Sequence, residues 1–312
     1  LEDYLFKEGI PSGLHTDFET DIFLSPRHLQ LQASSGWASY AAINKKTEQL
    51  EAFIHYHLER KVARSPLRSP YGSFVFSKNI STDRLSEFID FTEQKLREKG
   101  INRIWLRNSP EAYDLANNDR LHNILLKQGY EIELEEVSTL IPISDDSFES
   151  ILHRSHKKKL RKCHENRFVF QFLALDHLNE VYGFLKTVRE EKNYLLSMSF
   201  DELSRTVEVF PDNYLLSVVR DREQIIAASV CIKVNSRVLY NFYHDHLGVY
   251  DKVSPVVLLN EGLYEYCQQQ EFRLLDLGTS MINEKPNTSL ITFKVRLGGQ
   301  PTGKFTFVKN LI

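Results

Sequence analysis

The amino-acid sequence predicts a mixed-sheet α/β fold arranged as two tandem domains that are copies of one unit. Three observations carry this. The chain has 312 residues, enough for two domains that each bury a core. An offset of 170 residues brings Arg103 onto Arg273 and Gly129 onto Gly299 without a gap. In both copies the apolar pattern then reads strand, helix, strand, helix, strand, and alternation of this kind argues for helices packed on a sheet.

Taken in order, the first copy opens with an apolar strand over residues 72–77. A helix follows over 83–99, with apolar residues at helical spacing and Gly100 as its C-cap. Residues 103–107 read as a buried strand, 118–128 as a helix ended by Gly129, and 130–139 as a strand. The second copy repeats this with a strand at 238–244, a helix from Pro255 to about 270, a strand at 273–277, a helix at 290–297 ended by Gly298 and Gly299, and a strand at 303–308. Leu121 meets Ile291 and Leu125 meets Val295, while Leu85, Phe88, Ile89 and Leu96 fall on Pro255, Leu258, Leu259 and Tyr266. Ahead of its copy the second half adds a helix at 148–166, a strand at 168–173, two helices between 176 and 210, and a hairpin at 214–220 and 224–234. The polar loop around Pro142 interrupts the pattern and divides the chain into domains 1–143 and 144–312.

With 42% hydrophobic and 26% charged residues, the chain is neither collagenous, low-complexity nor disordered. The longest strongly apolar stretch, residues 225–232, is far short of the ~20 residues a spanning helix needs. Cys163, Cys231 and Cys267 stand far apart, which implies neither a disulfide framework nor a zinc ribbon and suits a cytoplasmic setting. The net charge of −3 hides an asymmetry. Residues 1–146 hold 17 Lys/Arg against 23 Asp/Glu, and residues 147–312 hold 22 against 19. Much of the second half's excess lies in residues 154–162, with six fixed cations in nine positions. A positive potential there attracts a phosphate-bearing partner.

Three strings carry a resemblance to known proteins: SPYGSF at residues 69–74, the lysine- and arginine-rich helix that opens the second domain, and LLDLGTS at 274–280 followed by FKVRLGG at 293–299. On these the chain resembles the FemAB-like branch of the GNAT acyltransferase superfamily, which includes the Fem-type peptidyltransferases. The likeness runs from about Ser69 onward; the first 68 residues match only in length. It implies tandem GNAT-like domains, the second of which binds the carrier. It also implies transfer of a group from acyl-CoA or aminoacyl-tRNA to an amine, in cell-envelope or polysaccharide metabolism. One departure is clear. GNAT acetyltransferases commonly present a Gly-rich loop before the helix that receives the CoA pyrophosphate, whereas here Gly248 stands alone in residues 247–255. Ser254 as N-cap and Pro255 at the first helical position still leave the N–H groups around Val256 and Val257 to hold a phosphate of acyl-CoA.

For the chemistry, the resemblance points to Lys294, whose ammonium would stabilise the oxyanion formed when an amine attacks a thioester or ester. The plainer alternative is a solvent-facing lysine on a short helix. Asp276 lies at a strand end among apolar neighbours, where a partly buried carboxylate can accept the amine proton; a cap, or an ion-pair partner of Arg273 or Lys294, is the other reading. Of Tyr243 and His244, near a strand end, one faces the site, since successive strand residues point to opposite sides.

On the basic helix, Phe148, Ile151, Leu152, Ser155 and Leu160 form the buried stripe. Arg154, Lys158 and Arg161 on the outer face would bind the substrate, a small phosphorylated or nucleotide-linked molecule in preference to tRNA. Cationic neighbours could lower the Cys163 pKa. The histidine pairs His55/His57 and His244/His246 have no evident third ligand, so no metal is expected. The rival class is a non-catalytic binding protein on a degenerate tandem GNAT fold, which keeps the basic helix and has no use for Lys294.

Overall fold

The computed structural model describes residues 3–311. In chain order the elements up to the repeat boundary are β1 (Tyr4–Glu8), α1 (Pro26–Gln32), β2 (Trp37–Asn44), β3 (Gln49–Glu59), β4 (Val62–Ser65), β5 (Val75–Phe76), α2 (Thr82–Glu98), β6 (Arg103–Arg107), α3 (Leu115–Lys127) and β7 (Glu131–Pro142). Then follow α4 (Phe148–Ile151), α5 (Arg154–Glu165), β8 (Val169–Leu173), α6 (Leu178–Glu191), α7 (Phe200–Val209), β9 (Tyr214–Asp221), β10 (Gln224–Lys233), β11 (Val238–His246), α8 (Val256–Gln269) and β12 (Leu274–Thr279). A small hairpin of β13 (Met281–Ile282) and β14 (Lys285–Pro286), α9 (Thr288–Arg296) and β15 (Gln300–Asn310) close the chain. Polar side chains set the helix starts: Ser81 accepts the Arg84 N–H at α2, Asp114 that of Asn117 at α3, and Ser199 with Glu202 forms a reciprocal box at α7.

By contacts the chain forms two compact units. One holds the residues up to Glu136 together with those from Gly303; the other is residues 137–302. The sequence boundary after residue 143 therefore moves into β7, because residues 137–142 pair with β12. In the first unit the strand order is β1, β2, β3, β4, β6, β15, antiparallel except for the β4/β6 pair. Leu85, Phe88, Ile89 and Leu96 of α2 and Leu121, Ile124 and Leu125 of α3 pack with Ala63, Ile104, Leu106 and Phe307 of that sheet. In the second unit the order is β8, β9, β10, β11, β12, β7, again with one parallel pair, β11/β12. Its core sets Val256, Val257, Leu259, Leu263 and Cys267 of α8 against Val219, Ala227, Cys231, Leu239 and Leu275.

The two orders are the same, and the 170-residue offset superimposes α2 on α8, β6 on β12 and α3 on α9. The last strand of each sheet comes from the other repeat. β7 follows α3 in the chain but completes the second unit through residues 137–142, and β15 follows α9 but completes the first through Thr306 to Asn310.

Several expectations need correction. The strand that matches β11 in the first unit is β4, four residues long, rather than residues 72–77, of which only Val75–Phe76 is strand. The Pro- and Gly-containing run between them cannot stay extended: Ser73 adopts a left-handed φ of 80°, and a Cβ on Gly72 would lie 2.7 Å from the Pro66 nitrogen. The helix at 148–166 is two helices. Leu152 is extended, and the His153 ring accepts the Ser155 N–H to start α5 afresh. That break turns His156, Leu160 and Cys163 inward on α5, where Ser155 had been expected. Burial pushes the Cys163 thiol up to about 12, against the lowering expected from its cationic neighbours. Among the described residues no helix is long and apolar enough to cross a membrane.

Candidate active site

The site begins where two strands part. β11 and β12 pair in parallel only from Val238/Leu274 to Tyr240/Asp276, after which β11 runs on to His246 and β12 to Thr279 without each other. On its other edge β12 has a bulge against β7 between Asp276 and Thr279, a device that bends a strand and re-aims its side chains. Asp276 drives the local turn: its Oδ1 accepts the N–H of Gly278 at 2.7 Å. Gly278 has φ 76°, a conformation that favours glycine, and a Cβ there would lie 3.3 Å from the Tyr240 ring, a tight contact.

Lys294 projects from α9 into this turn. It is 2% exposed, and its Nζ donates to the carbonyl oxygens of Gly278 at 2.8 Å and Thr279 at 3.0 Å. The solvent-facing alternative is thereby excluded. Burial lowers its pKa to about 7; the Asp276 carboxylate opposes the shift and the Arg189 guanidinium adds to it. Gly299, after α9, is equally confined, since a Cβ there would lie 2.5 Å from Thr139 Cγ2 and 2.7 Å from the Lys294 carbonyl.

Asp276 is 3% exposed; its carboxylate holds the turn at Gly278 and opposes the fall in the Lys294 pKa. Of the two β11 candidates, Tyr243 is tied elsewhere: its hydroxyl lies 2.6 Å from Ser197 Oγ and accepts the Met198 N–H at 3.0 Å. His244 shares the field of Lys294. Burial first, then Lys294 and Arg189, lowers its pKa to about 3, so the ring is neutral, and its Nδ1 is buried without a hydrogen-bond partner. Arg189, on α6, donates to the His244 carbonyl at 3.3 Å. No sequence signal marks Arg189, and the carbonyls that hold Lys294 belong to the backbone, which no residue letter reports. At the offset positions the first unit has Leu106 for Asp276 and Ile124 for Lys294, both in its apolar core. Among the described residues the constellation therefore exists once.

No family model matches the chain, and no curated protein does. Solved structures match it well. FemX is 10% identical with a TM-score of 0.69, over 93% of this chain and 92% of its own. A tandem GNAT protein from the clavulanic acid biosynthesis pathway is 8% identical with a TM-score of 0.55, over 88% and 83%. L-PGS from Bacillus licheniformis is 11% identical with a TM-score of 0.53, over 94% and 93%. The chain has the tandem GNAT-like fold.

In that fold the segment between β11 and α8 is where a CoA pyrophosphate is expected, and here the fit is poor. α8 starts at Val256, with Pro255 in the cap position and Ser254 left-handed at φ 59°, so Ser254 is not the N-cap. The N–H groups of Tyr250, Asp251, Val253, Ser254 and Val257 all go to carbonyls inside the segment. Ser254, Val256 and Val257 are themselves buried. This end of the GNAT-like unit offers packed backbone rather than a cradle. The basic helix does lie outward: Arg154, Lys158 and Arg161 are exposed on α5, with His156, Leu160 and Cys163 beneath them. Among the described residues no group of three His, Cys, Asp or Glu could hold a metal.

Proposed function

We propose that the second unit is an acyl or aminoacyl transferase, moving a group from an activated carrier to an amine, with Lys294 polarising the reacting carbonyl. One observation carries the reading: a buried lysine whose amine is fixed by two carbonyls at the point where two strands part. An ammonium has three donors. The carbonyls of Gly278 and Thr279 take two, which leaves the third for the oxygen of a thioester or ester. When the amine nitrogen bonds to the carbonyl carbon, an electron pair moves onto that oxygen, and a fixed donor in a water-poor site stabilises it strongly. The pair then returns and expels the thiolate or alkoxide. Asp276, or a water that it orients, takes the proton that nitrogen loses and passes it to the leaving group. A neutral His244 adds no competing positive charge.

The test is Lys294→Met, which keeps the side-chain length and removes the donor. Transfer from acetyl-CoA, longer acyl-CoAs and an aminoacyl-tRNA to a panel of amines is measured in single turnover. We expect a loss of about 10²–10³-fold, the usual effect of one oxyanion donor, with an unchanged far-UV spectrum. A folded variant within threefold of the parent would sink the reading. Donor binding without turnover by the parent protein would favour the non-catalytic alternative.

A further inference from the structure

The sheet of the second unit ends at β8, which pairs with β9 and, among the described residues, with no other strand. A sheet edge leaves a row of backbone N–H and C=O groups open to pairing, and proteins usually blunt it with a charge, a proline or a bulge. β8 has none of these. Residues 168–175 read FVFQFLAL, without a charge or a proline, and the register against β9 runs unbroken from Val169/Arg220 to Leu173/Leu216. β1, the edge strand of the first unit, is the contrast, since it carries Lys7 and Glu8.

Both faces of β8 reach solvent. Phe170 lies against Gly262, and the Phe172 ring against that of Tyr266 with centroids 5.0 Å apart, so this pair faces α8. Val169, Gln171 and Leu173 therefore face the other way. Val169 is 55% exposed and Phe172 39%, which sets an apolar side chain at the solvent on each side of the edge.

The five residues of β8 are also complementary to themselves. With a second β8 laid antiparallel about a two-fold axis through Gln171, Val169 falls opposite the partner's Leu173, and Phe170 opposite the partner's Phe172. Gln171 meets its own copy, where each amide both donates and accepts. No like charges meet, and aromatic and branched cross-strand pairs of this kind stabilise antiparallel ladders. Just beyond the strand ends, the exposed Arg167 comes beside the partner's Asp176, which is exposed as well, and the axis makes this pair of opposite charges twice.

We infer that β8 joins two copies of this chain about a two-fold axis at Gln171, extending the sheet of one second unit into that of the other. Such a contact uses the same edge on both copies, so assembly closes at two. The inference is independent of group transfer by Lys294.

The test is sedimentation velocity of the full chain across the micromolar range. We expect a monomer–dimer equilibrium in the parent. Val169→Lys puts an ammonium into the pairing edge twice per dimer and should weaken association about tenfold, with an unchanged far-UV spectrum. Crosslinking reads the register. The three native cysteines are buried, so Gln171→Cys should give a disulfide-linked dimer under mild oxidation. Val169→Cys should not, because its two copies lie roughly 13 Å apart along the ladder. A parent that stays monomeric, including one that takes up a peptide strand of other sequence, would overturn the inference. So would unweakened association in Val169→Lys, species larger than a dimer, or equal crosslinking through both cysteine variants.

Discussion

At the scale of single residues, the proposed chemistry rests on the Lys294 ammonium, a charge that burial makes costly to keep. Lys294 was legible as a candidate from FKVRLGG, but its burial was not, because the groups that receive it are backbone carbonyls created by the Asp276 turn. A protein labelled with [ε-13C]lysine should show a resonance titrating near pH 7, assigned by its absence in Lys294→Met. The same shift fixes a sign for stability. Between pH about 7 and the ordinary value of 10.5, the unfolded chain holds a proton that the folded one has released, so stability rises with pH across this window and falls as pH drops back toward 7. Urea midpoints at pH 7, 8 and 9 should therefore climb in the parent relative to Lys294→Met; parallel curves would show that the amine is not desolvated. Below that range His28, His55 and His156, each lowered to about 4 by burial, act in the same direction, and stability is lost as pH falls from about 6.5 toward 4.

At the scale of elements, the long helices of the two copies were the plainest to read from sequence. α2 and α8 keep apolar residues at helical spacing over 17 and 14 residues, and both were legible. β4 has four residues, too few for alternation to register, and the break between α4 and α5 turns on a histidine acting as a cap, which composition does not announce. Packing is equally silent in sequence, and α8 shows how much it demands. A Cβ on Gly262 would lie 2.3 Å from the Phe170 ring of β8, so the helix and strand meet only because this position has no side chain. Gly262→Ala should gain roughly 1 kcal/mol in helix propensity, yet lose about 1–3 kcal/mol to overpacking, for a net fall in stability. Phe170→Leu, made in the same chain, should recover part of that loss. Denaturant unfolding of the two single variants and the double variant measures the coupling, and strict additivity would mean that the two residues do not touch.

At the scale of the whole molecule, the repeat was legible as a constant offset, and so was the order of its elements from α2 onward. What the offset could not show is that each sheet is finished by a strand from the other repeat, because an exchanged strand has the same sequence pattern as one that stays at home. The exchange decides where the chain can be cut. Leu140 and Ile141 are buried and pair with Asp276 and Leu275, so a fragment starting at residue 144 leaves β12 as an unprotected edge beside the lysine site. That fragment also carries residues 303–312, including Phe307, which is buried in the other unit's core. A fragment of residues 137–302 keeps residues 137–142 of β7 and all of β8 to β12, and of the first unit's strands only the first three residues of β15. It should give a cooperative thermal melt and keep the lysine resonance near pH 7, whereas residues 144–312 should give a broad, aggregation-limited transition. If the shorter-cut fragment melted as sharply and as high, residues 137–142 would not be the strand that completes this unit, and the strand pairing that frames Asp276 would have to be redrawn.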